Sequence, residues 1–315
     1  MRYLFDISRG SGIEAVQCGL VKDFAIEHPN DKIYICAINK YFADCIANEL
    51  ENVESIDRQQ MQPLFSDIMR NKDNWKIFRP NVYDTYEFMT RQGNYEDIFR
   101  EQIGMKRKKD YTQNGSKWNL VFNAIPQQIV DMAKTFAEQH PNFVIFQRQG
   151  GINPVCPHDE RIRALQQGEQ GLKRAYPIKE SGEVVKGLVE RGYEVLQYCL
   201  PEEPHITGTI FLQQEVNQLF YYELSKYAKG VVCIDSSLMH LTVHNTPHIT
   251  VIWAQTAASS KSVVGFGYDK ADNLIPANYE PIVPYFTGAM DSPAIDYIKP
   301  KEILDSVDKW YKTTD

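Results

Sequence analysis

The stretch 231–256 (VVCIDSSLMHLTVHNTPHITVIWAQT) constrains the fold most, because its pattern predicts a strand, a turn, a helix and a second strand. The short β-branched run 231–234 is typical of a parallel strand that is covered on both faces. The Asp-Ser-Ser triplet at 235–237 suits a helix N-cap, and Pro247 marks the break before the apolar run 249–253. A helix N-terminus at the carboxyl end of a parallel strand binds phosphate well, although an ordinary βαβ unit without a ligand has the same pattern.

The rest of the chain repeats this α/β pattern. A length of 315 residues favours two domains over one. The start reads as strand (3–7), Gly/Ser turn, helix, strand (32–38) and helix (40–49), which is a doubly wound α/β opening. The same order restarts with a helix at 127–139 and a strand at 143–147.

We therefore predict a Rossmann-like domain at 1–125, a linker and helix at 126–140, and a second Rossmann-like domain at 141–315. Residues 58–118 are irregular, and 119–123 is predicted to be a strand that closes the first domain. The final predicted helix, 301–310, is placed so that it can fold back on the first half.

Composition excludes several classes of protein. The 43% hydrophobic and 24% charged residues are ordinary for a globular protein, and a net charge of -7 argues against coating nucleic acid with the whole surface. No apolar run approaches the ~20 residues of a membrane span, no signal peptide is visible, and the six cysteines form no CxxC. We expect a cytoplasmic protein with reduced cysteines. Zinc is not expected at the histidines 240, 244 and 248, since Pro247 breaks their helix.

Several motifs resemble those of the family-9, heptosyltransferase-type glycosyltransferases. The family's Asp-Ser-Gly-x-Met-His-Leu segment is matched at 235–241, with Ser237 in place of the glycine, and its Pro turn and Thr are matched by Pro247 and Thr256. Upstream, 173-KRAYP-177 and 190-ERGYEVLQY-198 are similar to the family's Lys-x-Trp-Pro segment and Arg-Gly-Tyr-x-Val strand. The family's Gly-Asp turn corresponds to Gly-Ile-Glu at 12–14, so the chain resembles a divergent, phage-type member.

The resemblance implies a GT-B fold, in which two Rossmann-like domains face each other across a cleft, and inverting sugar transfer without a metal or resident cofactor. The donor would be a nucleotide-diphospho sugar, and the leaving diphosphate would be stabilised by helix N–H groups and cations. The implied donor diphosphate site comprises Lys173, Arg174, Ser236, Ser237, Leu238, Met239 and His240, with Glu202 or Glu203 at the nucleoside. Inversion needs a base on the acceptor side, for which Glu14 is the nearest carboxylate and Asp6 the competing candidate. The implied acceptor residues are Arg9, Gly12, Lys106, Arg107, Lys108 and Lys109, the last four of which also suit a solvated loop.

Three functions remain open. The first is transfer of a hexose, heptose or pentose to a saccharide acceptor such as lipopolysaccharide or a surface glycan, peripherally at the inner membrane. The second is transfer to hydroxymethylated bases of phage DNA in the host cytoplasm, for which the basic run 106–109 leaves room. The third is non-catalytic binding of a nucleotide sugar. The sequence does not indicate the oligomeric state.

Overall fold

The structure is a computed structural model, and it describes residues 1–7, 11–82, 85–89, 95–107, 121–150, 175–200, 203–212, 217–253, 270–275 and 298–310. The described strands form two fully parallel sheets, one in each half of the chain. The two predicted α/β halves are therefore confirmed, whereas the exact boundaries at 125 and 140 stay a prediction.

The first sheet has four described strands in the order β3-β2-β1-β4. Leu4 and Phe5 are neighbours in the inner strand β1 and point to opposite faces, yet both are fully buried. Helices therefore cover both faces, as expected for a parallel sheet. The elements are β1 (Arg2–Ile7), α1 (Ser11–Glu27), β2 (Lys32–Ala37), α2 (Lys40–Glu49), β3 (Val53–Ile56), α3 (Met61–Arg70), β4 (Trp75–Phe78), α4 (Tyr86–Met89) and α5 (Tyr95–Gln102), with 3-10 turns at Arg58–Gln60 and Lys72–Asn74.

The second sheet has six described strands in the order β10-β9-β8-β5-β6-β7. From β5 the chain adds strands toward one edge, and from β8 it adds strands toward the other, so the topological switch point lies between β5 and β8. Ligands of open α/β sheets bind at the carboxyl ends of the strands at such a point. The elements are α6 (Gln127–Gln139), β5 (Phe143–Phe146), α7 (Ile178–Glu190), β6 (Glu194–Gln197), β7 (Thr209–Ile210), α8 (Gln218–Leu224), β8 (Gly230–Ile234), α9 (Ser237–Thr242), β9 (Ile249–Ile252), β10 (Asp272–Leu274) and α10 (Pro300–Val307).

The last helix, α10, packs on the second sheet, so the expectation that it returns to the first half was wrong. A Cβ on Gly187 of α7 would lie 2.4 Å from Leu304 Cδ1, and one on Gly230 of β8 would lie 2.2 Å from Trp310 Cζ3. Ile303 and Val307 are buried in the same cluster as the β5 and β8 side chains. The apolar stripe of α10 is therefore already covered within its own domain.

The predicted strand at 119–123 was also wrong over the part that the structure describes, where 121–126 carries no strand. Side chains from both halves bind this backbone in place of a β ladder. The Phe122 N–H donates to the Tyr222 hydroxyl at 3.0 Å, and the Asn123 N–H donates to Glu49 Oε2 at 3.4 Å. Helix α6 follows and packs against α8, so it is attached to the second sheet.

No helix in the described ranges combines the length and the apolar character needed to cross a bilayer.

Candidate functional site

Two loops meet at the switch point of the second sheet, one after β5 and one after β8. Ser236 is the N-cap of α9, because its hydroxyl oxygen accepts a hydrogen bond from the Leu238 N–H at 3.3 Å. The same hydroxyl donates to Gln147 Oε1 in the β5 loop. A Cβ on Gly150 would lie only 2.8 Å from Ser236 Cβ, so a side chain there would push the two loops apart. The close approach depends on glycine at this position.

The hydroxyl of the partly buried Ser237 lies beside a small polar cluster, which comes from the residue after β6 and from α8. Its oxygen is 3.4 Å from the Tyr198 hydroxyl and 3.5 Å from Gln218 Nε2, which itself donates to Tyr198 at 3.2 Å. Burial raises the pKa of Tyr198, so its phenol stays protonated and can act as a donor. Hydroxyl and amide groups from three elements are thus collected at the carboxyl side of the second sheet.

The first domain reaches this place through the beginning of α1. A Cβ on Gly12 would lie 2.7 Å from Ser237 Cα and 2.8 Å from His240 Cδ2, so α1 and α9 are in direct contact. Since α1 follows β1 and α9 follows β8, the carboxyl ends of two inner strands from different sheets border one cleft.

On the first-domain side of the cleft, Asp6 lies near the carboxyl end of β1 between two arginines. Arg58 Nη2 is 3.1 Å from Asp6 Oδ1, and Arg79 Nε is 2.8 Å from Asp6 Oδ2. The Asp6 side chain is 15% exposed, whereas those of Arg58 and Arg79 are 45% and 67% exposed. Both arginines follow the carboxyl ends of strands, β3 and β4, that the sequence analysis did not identify. Predicting those strands would have placed both cations at the cleft.

Glu14 occupies a different environment, in the interior of the first domain. It is fully buried, and its carboxylate accepts hydrogen bonds from the Ile38 N–H (2.8 Å), the Asn39 N–H (3.0 Å) and the Asn39 side-chain amide. Burial raises its pKa, and these hydrogen bonds partly oppose the rise. Glu14 therefore fastens α1 to the loop between β2 and α2.

Comparison with known proteins identifies the architecture. No protein-family model and no curated protein matches the sequence. Solved structures do match over nearly the whole chain. A family 9 glycosyl transferase from Veillonella parvula has a TM-score of 0.59 at 11% identity, covering 98% of this chain and 96% of that one. The Escherichia coli ADP-heptose LPS heptosyltransferase II has a TM-score of 0.57 at 12% identity, with 98% of each chain covered. The E. coli iron-containing dodecameric glycosyltransferase TibC has a TM-score of 0.62 at 9% identity, covering 100% of this chain and 77% of that one.

The chain has a GT-B fold. At sequence identities of 9–12%, similarity to these structures establishes the fold alone. The resemblance to family-9 glycosyltransferases is therefore confirmed for the fold.

Several of the predicted site residues have buried side chains. Leu238, Met239 and His240 are buried in α9, at 4% exposure or less. Glu203 is 8% exposed, and its Oε1 accepts a hydrogen bond from the Leu200 N–H in its own loop at 3.1 Å. Its predicted role at the nucleoside stays a prediction.

The basic run 106–109 is only partly described. Arg107 makes hydrogen bonds of 2.6–2.9 Å to the carboxylates of Glu101 and Glu87, and these raise its pKa. Lys106 is exposed. The predicted residues Arg9, Lys108, Lys109, Lys173, Arg174 and Glu202 lie outside the described residues.

In the described part of the chain, no three His, Cys, Asp or Glu side chains are grouped to hold an ion.

Proposed function

We propose that the protein is a metal-independent, inverting glycosyltransferase that transfers a sugar from a nucleotide-diphospho sugar to a hydroxyl of a saccharide acceptor. The observation that carries the proposal is the contact of Gly12 with Ser237 and His240, which brings the carboxyl ends of β1 and β8 to one cleft. The GT-B fold supports it, since structures with this fold include an ADP-heptose LPS heptosyltransferase. ADP-heptose is therefore the first donor to test.

The second domain would hold the donor. In the transfer, the acceptor oxygen attacks the anomeric carbon, the bond from that carbon to the diphosphate breaks, and the nucleoside diphosphate leaves with the bonding pair. Preorganised hydrogen-bond donors stabilise such developing charge best in a site that excludes water. Ser237, Tyr198 and Gln218 offer hydroxyl and amide donors at the switch point. We assign Lys173 and Arg174 as the cations that complete this site.

The first domain would hold the acceptor and the base. We assign the base to Asp6, because its carboxylate lies near the carboxyl end of β1 and reaches solvent. Glu14 is fully enclosed and its oxygens already accept three hydrogen bonds, so we assign it a positioning role. Arg58 and Arg79 hold the Asp6 carboxylate from two sides and leave exposed guanidinium surface for an acceptor oxygen.

The test is release of nucleoside diphosphate from a panel of nucleotide sugars, measured with saccharide acceptors in the presence of EDTA. We expect turnover with at least one donor. Asp6→Asn should lose about 10²–10⁴-fold in kcat, the usual contribution of a general base, while nucleoside diphosphate still binds. Asp44→Asn is the matched control, because Asp44 also pairs with a cation, Lys40, but on the surface of α2. Unchanged turnover in Asp6→Asn would rule out this base.

A second candidate is binding of a nucleotide sugar without transfer. The enclosed carboxylate of Glu14 favours it, because the nearest acid to the family's Gly-Asp turn does not reach the cleft. Nucleoside diphosphate binding without turnover of any donor would support this reading.

The argument for a DNA acceptor was the basic run 106–109. It is weakened because Arg107 of this run already forms ion pairs with Glu87 and Glu101.

A further inference from the structure

A pocket of about 300 Å³ lies at the amino ends of β9 and β10, whereas the cleft lies at the carboxyl ends of the same sheet. His248 directly precedes β9, and Lys270 lies just before β10. The residues after α10, Lys309 and Trp310, form the opposite wall. Strand β9, which is about 13 Å long, separates this pocket from the cleft. Its volume is large enough for a small ligand.

The buried indole of Trp310 brings a hydrogen-bond donor to the pocket wall. Trp310 is 5% exposed, and its Nε1–H has no acceptor among the residues that the structure describes. A Cβ on Gly230 would lie 2.2 Å from Trp310 Cζ3 and 2.4 Å from Cη2, so this edge of the ring faces β8. The Nε1–H belongs to the opposite edge, on the side of the pocket. Because a buried donor without an acceptor is destabilising, this N–H indicates a place where an acceptor binds.

Lys270 supplies a positive charge that no described acid neutralises. It forms no ion pair with any residue in the described ranges. Burial lowers the pKa of its ammonium group. Asp272, an acid in the pocket wall, already binds Lys309, whose Nζ is 3.1 Å from Asp272 Oδ2. The two lysines and this carboxylate therefore leave one positive charge without a counterion at the pocket.

The histidines near Lys270 do not add to this charge. Burial, together with the charges of Lys270 and His240, lowers the pKa of His244 to about 4. Burial and Lys270 also lower the pKa of His248, whose ring stacks on Trp310 with centroids 5.6 Å apart. Both imidazoles are therefore neutral at physiological pH. The charge available to a ligand lies on Lys270.

We propose that this pocket binds a phosphate group, as inorganic phosphate or as part of a small phosphomonoester, between the Lys270 ammonium and the Trp310 N–H. The ammonium group carries three donors and the indole one, and a phosphate group accepts with three oxygens. A carboxylate offers two oxygens and a smaller charge, so it should bind more weakly. The ligand would join the end of α10 to the starts of β9 and β10. Binding here does not depend on glycosyl transfer.

The experiment is an NMR titration of the full chain labelled with ¹⁵N at its four tryptophans. The variant Trp310→Phe identifies the indole signal of Trp310. We expect inorganic phosphate and glucose 6-phosphate, each added at constant ionic strength, to shift this signal until the site is saturated. Acetate should shift it only at higher concentrations. The readout reports this pocket directly, because a ligand in the cleft does not contact Trp310.

The decisive variant is Lys270→Gln, which removes the charge from the pocket. It should bind phosphate at least about tenfold more weakly, since a hydrogen bond to a charged group contributes about tenfold or more in affinity. Lys270 is exposed, so the thermal unfolding of the variant should be nearly unchanged. Lys134→Gln on α6 is the matched control, because Lys134 is also exposed and forms no ion pair with a described residue. Both variants should bind nucleoside diphosphate at the cleft as the wild type does.

Three outcomes would overturn the proposal. One is a Trp310 signal that neither phosphate compound shifts. Another is an equal phosphate affinity in Lys270→Gln and Lys134→Gln, which would place the anion away from Lys270. The third is an equal response to acetate and to phosphate at the same ionic strength, which would mean that the pocket does not recognise the phosphate group.

Discussion

The contact between the two domains makes Gly12→Ala the most informative single substitution. The added methyl carbon would lie 2.7 Å from Ser237 Cα and 2.8 Å from His240 Cδ2. Carbon atoms in contact are normally about 3.5–4.0 Å apart, so α1 and α9 must separate by roughly 1 Å. Overpacking of this kind costs about 1–3 kcal/mol, and alanine returns at most about 1 kcal/mol through its helix propensity. We expect a net loss of about 1–2 kcal/mol in the free energy of unfolding.

The assay for Gly12→Ala is urea denaturation, with the radius of gyration and nucleoside diphosphate affinity measured on the same samples. Separation of α1 from α9 should increase the radius of gyration and weaken nucleotide binding. Gly182→Ala in α7 is the matched control, because a Cβ there meets nothing within 4 Å. That control should gain about 0.5–1 kcal/mol from helix propensity. If Gly12→Ala were as stable as the wild type and Gly182→Ala behaved as expected, the close contact of α1 with α9 would be disproved.

Three further predictions concern single side chains. Glu14→Gln should lower the free energy of unfolding by about 1.5–3 kcal/mol, because the new amide group would face N–H donors. Urea denaturation measures this loss. Burial raises the pKa of Glu14, so protonation of Glu14 stabilises the folded state fully below the ordinary pKa of 4.5. The difference in free energy of unfolding between the wild type and Glu14→Gln should therefore fall as the pH rises through the folded-state pKa. A difference that stays constant as the pH rises above 4.5 would contradict this. Gly230→Ala should lower the free energy of unfolding by about 1–3 kcal/mol in the same assay, because its Cβ would lie 2.2 Å from the Trp310 ring. An unchanged free energy of unfolding would mean that the ring shifts freely. Tyr198→Phe should weaken nucleoside diphosphate binding about 3–10-fold in calorimetry, since it removes the hydroxyl beside Ser237, and an unchanged Kd would remove Tyr198 from the site.

The sequence predicted several helices at their observed bounds and missed other elements. Helix α2 was predicted at the residues where it lies, and its buried residues recur at helical spacing. Helix α6 was also predicted at its observed bounds, between a proline and a His-Pro pair. In contrast, α3 was missed although its apolar residues 61, 64, 65, 68 and 69 recur at helical spacing. The short β4 offers no such pattern, since its central residues Lys76 and Ile77 are both exposed.

The candidate site was predicted only in part. The Asp-Ser-Ser triplet indicated an N-cap, and Ser236 caps α9 as its chemistry requires. No local pattern assigned Gln147, Tyr198 and Gln218 a role at the site, although Tyr198 ends the motif 190–198. The fold brings these residues, from the ends of β5 and β6 and from α8, to Ser236 and Ser237. Likewise, the three donors that enclose Glu14 lie after β2, where a local pattern gives no sign of them.

The position of α10 has a consequence for folding during synthesis. Ile303, Val307 and Trp310 fill the same core cluster as side chains of β5 and β8, so this core is completed by the last described segment of the chain. Domains generally fold as units, with the N-terminal one first. The first sheet can therefore form while the ribosome is still translating the second half. In the six-stranded sheet, α7 covers part of this apolar face, and the rest stays exposed until α10 emerges. During that interval the second half is the part of the nascent chain most in need of a chaperone.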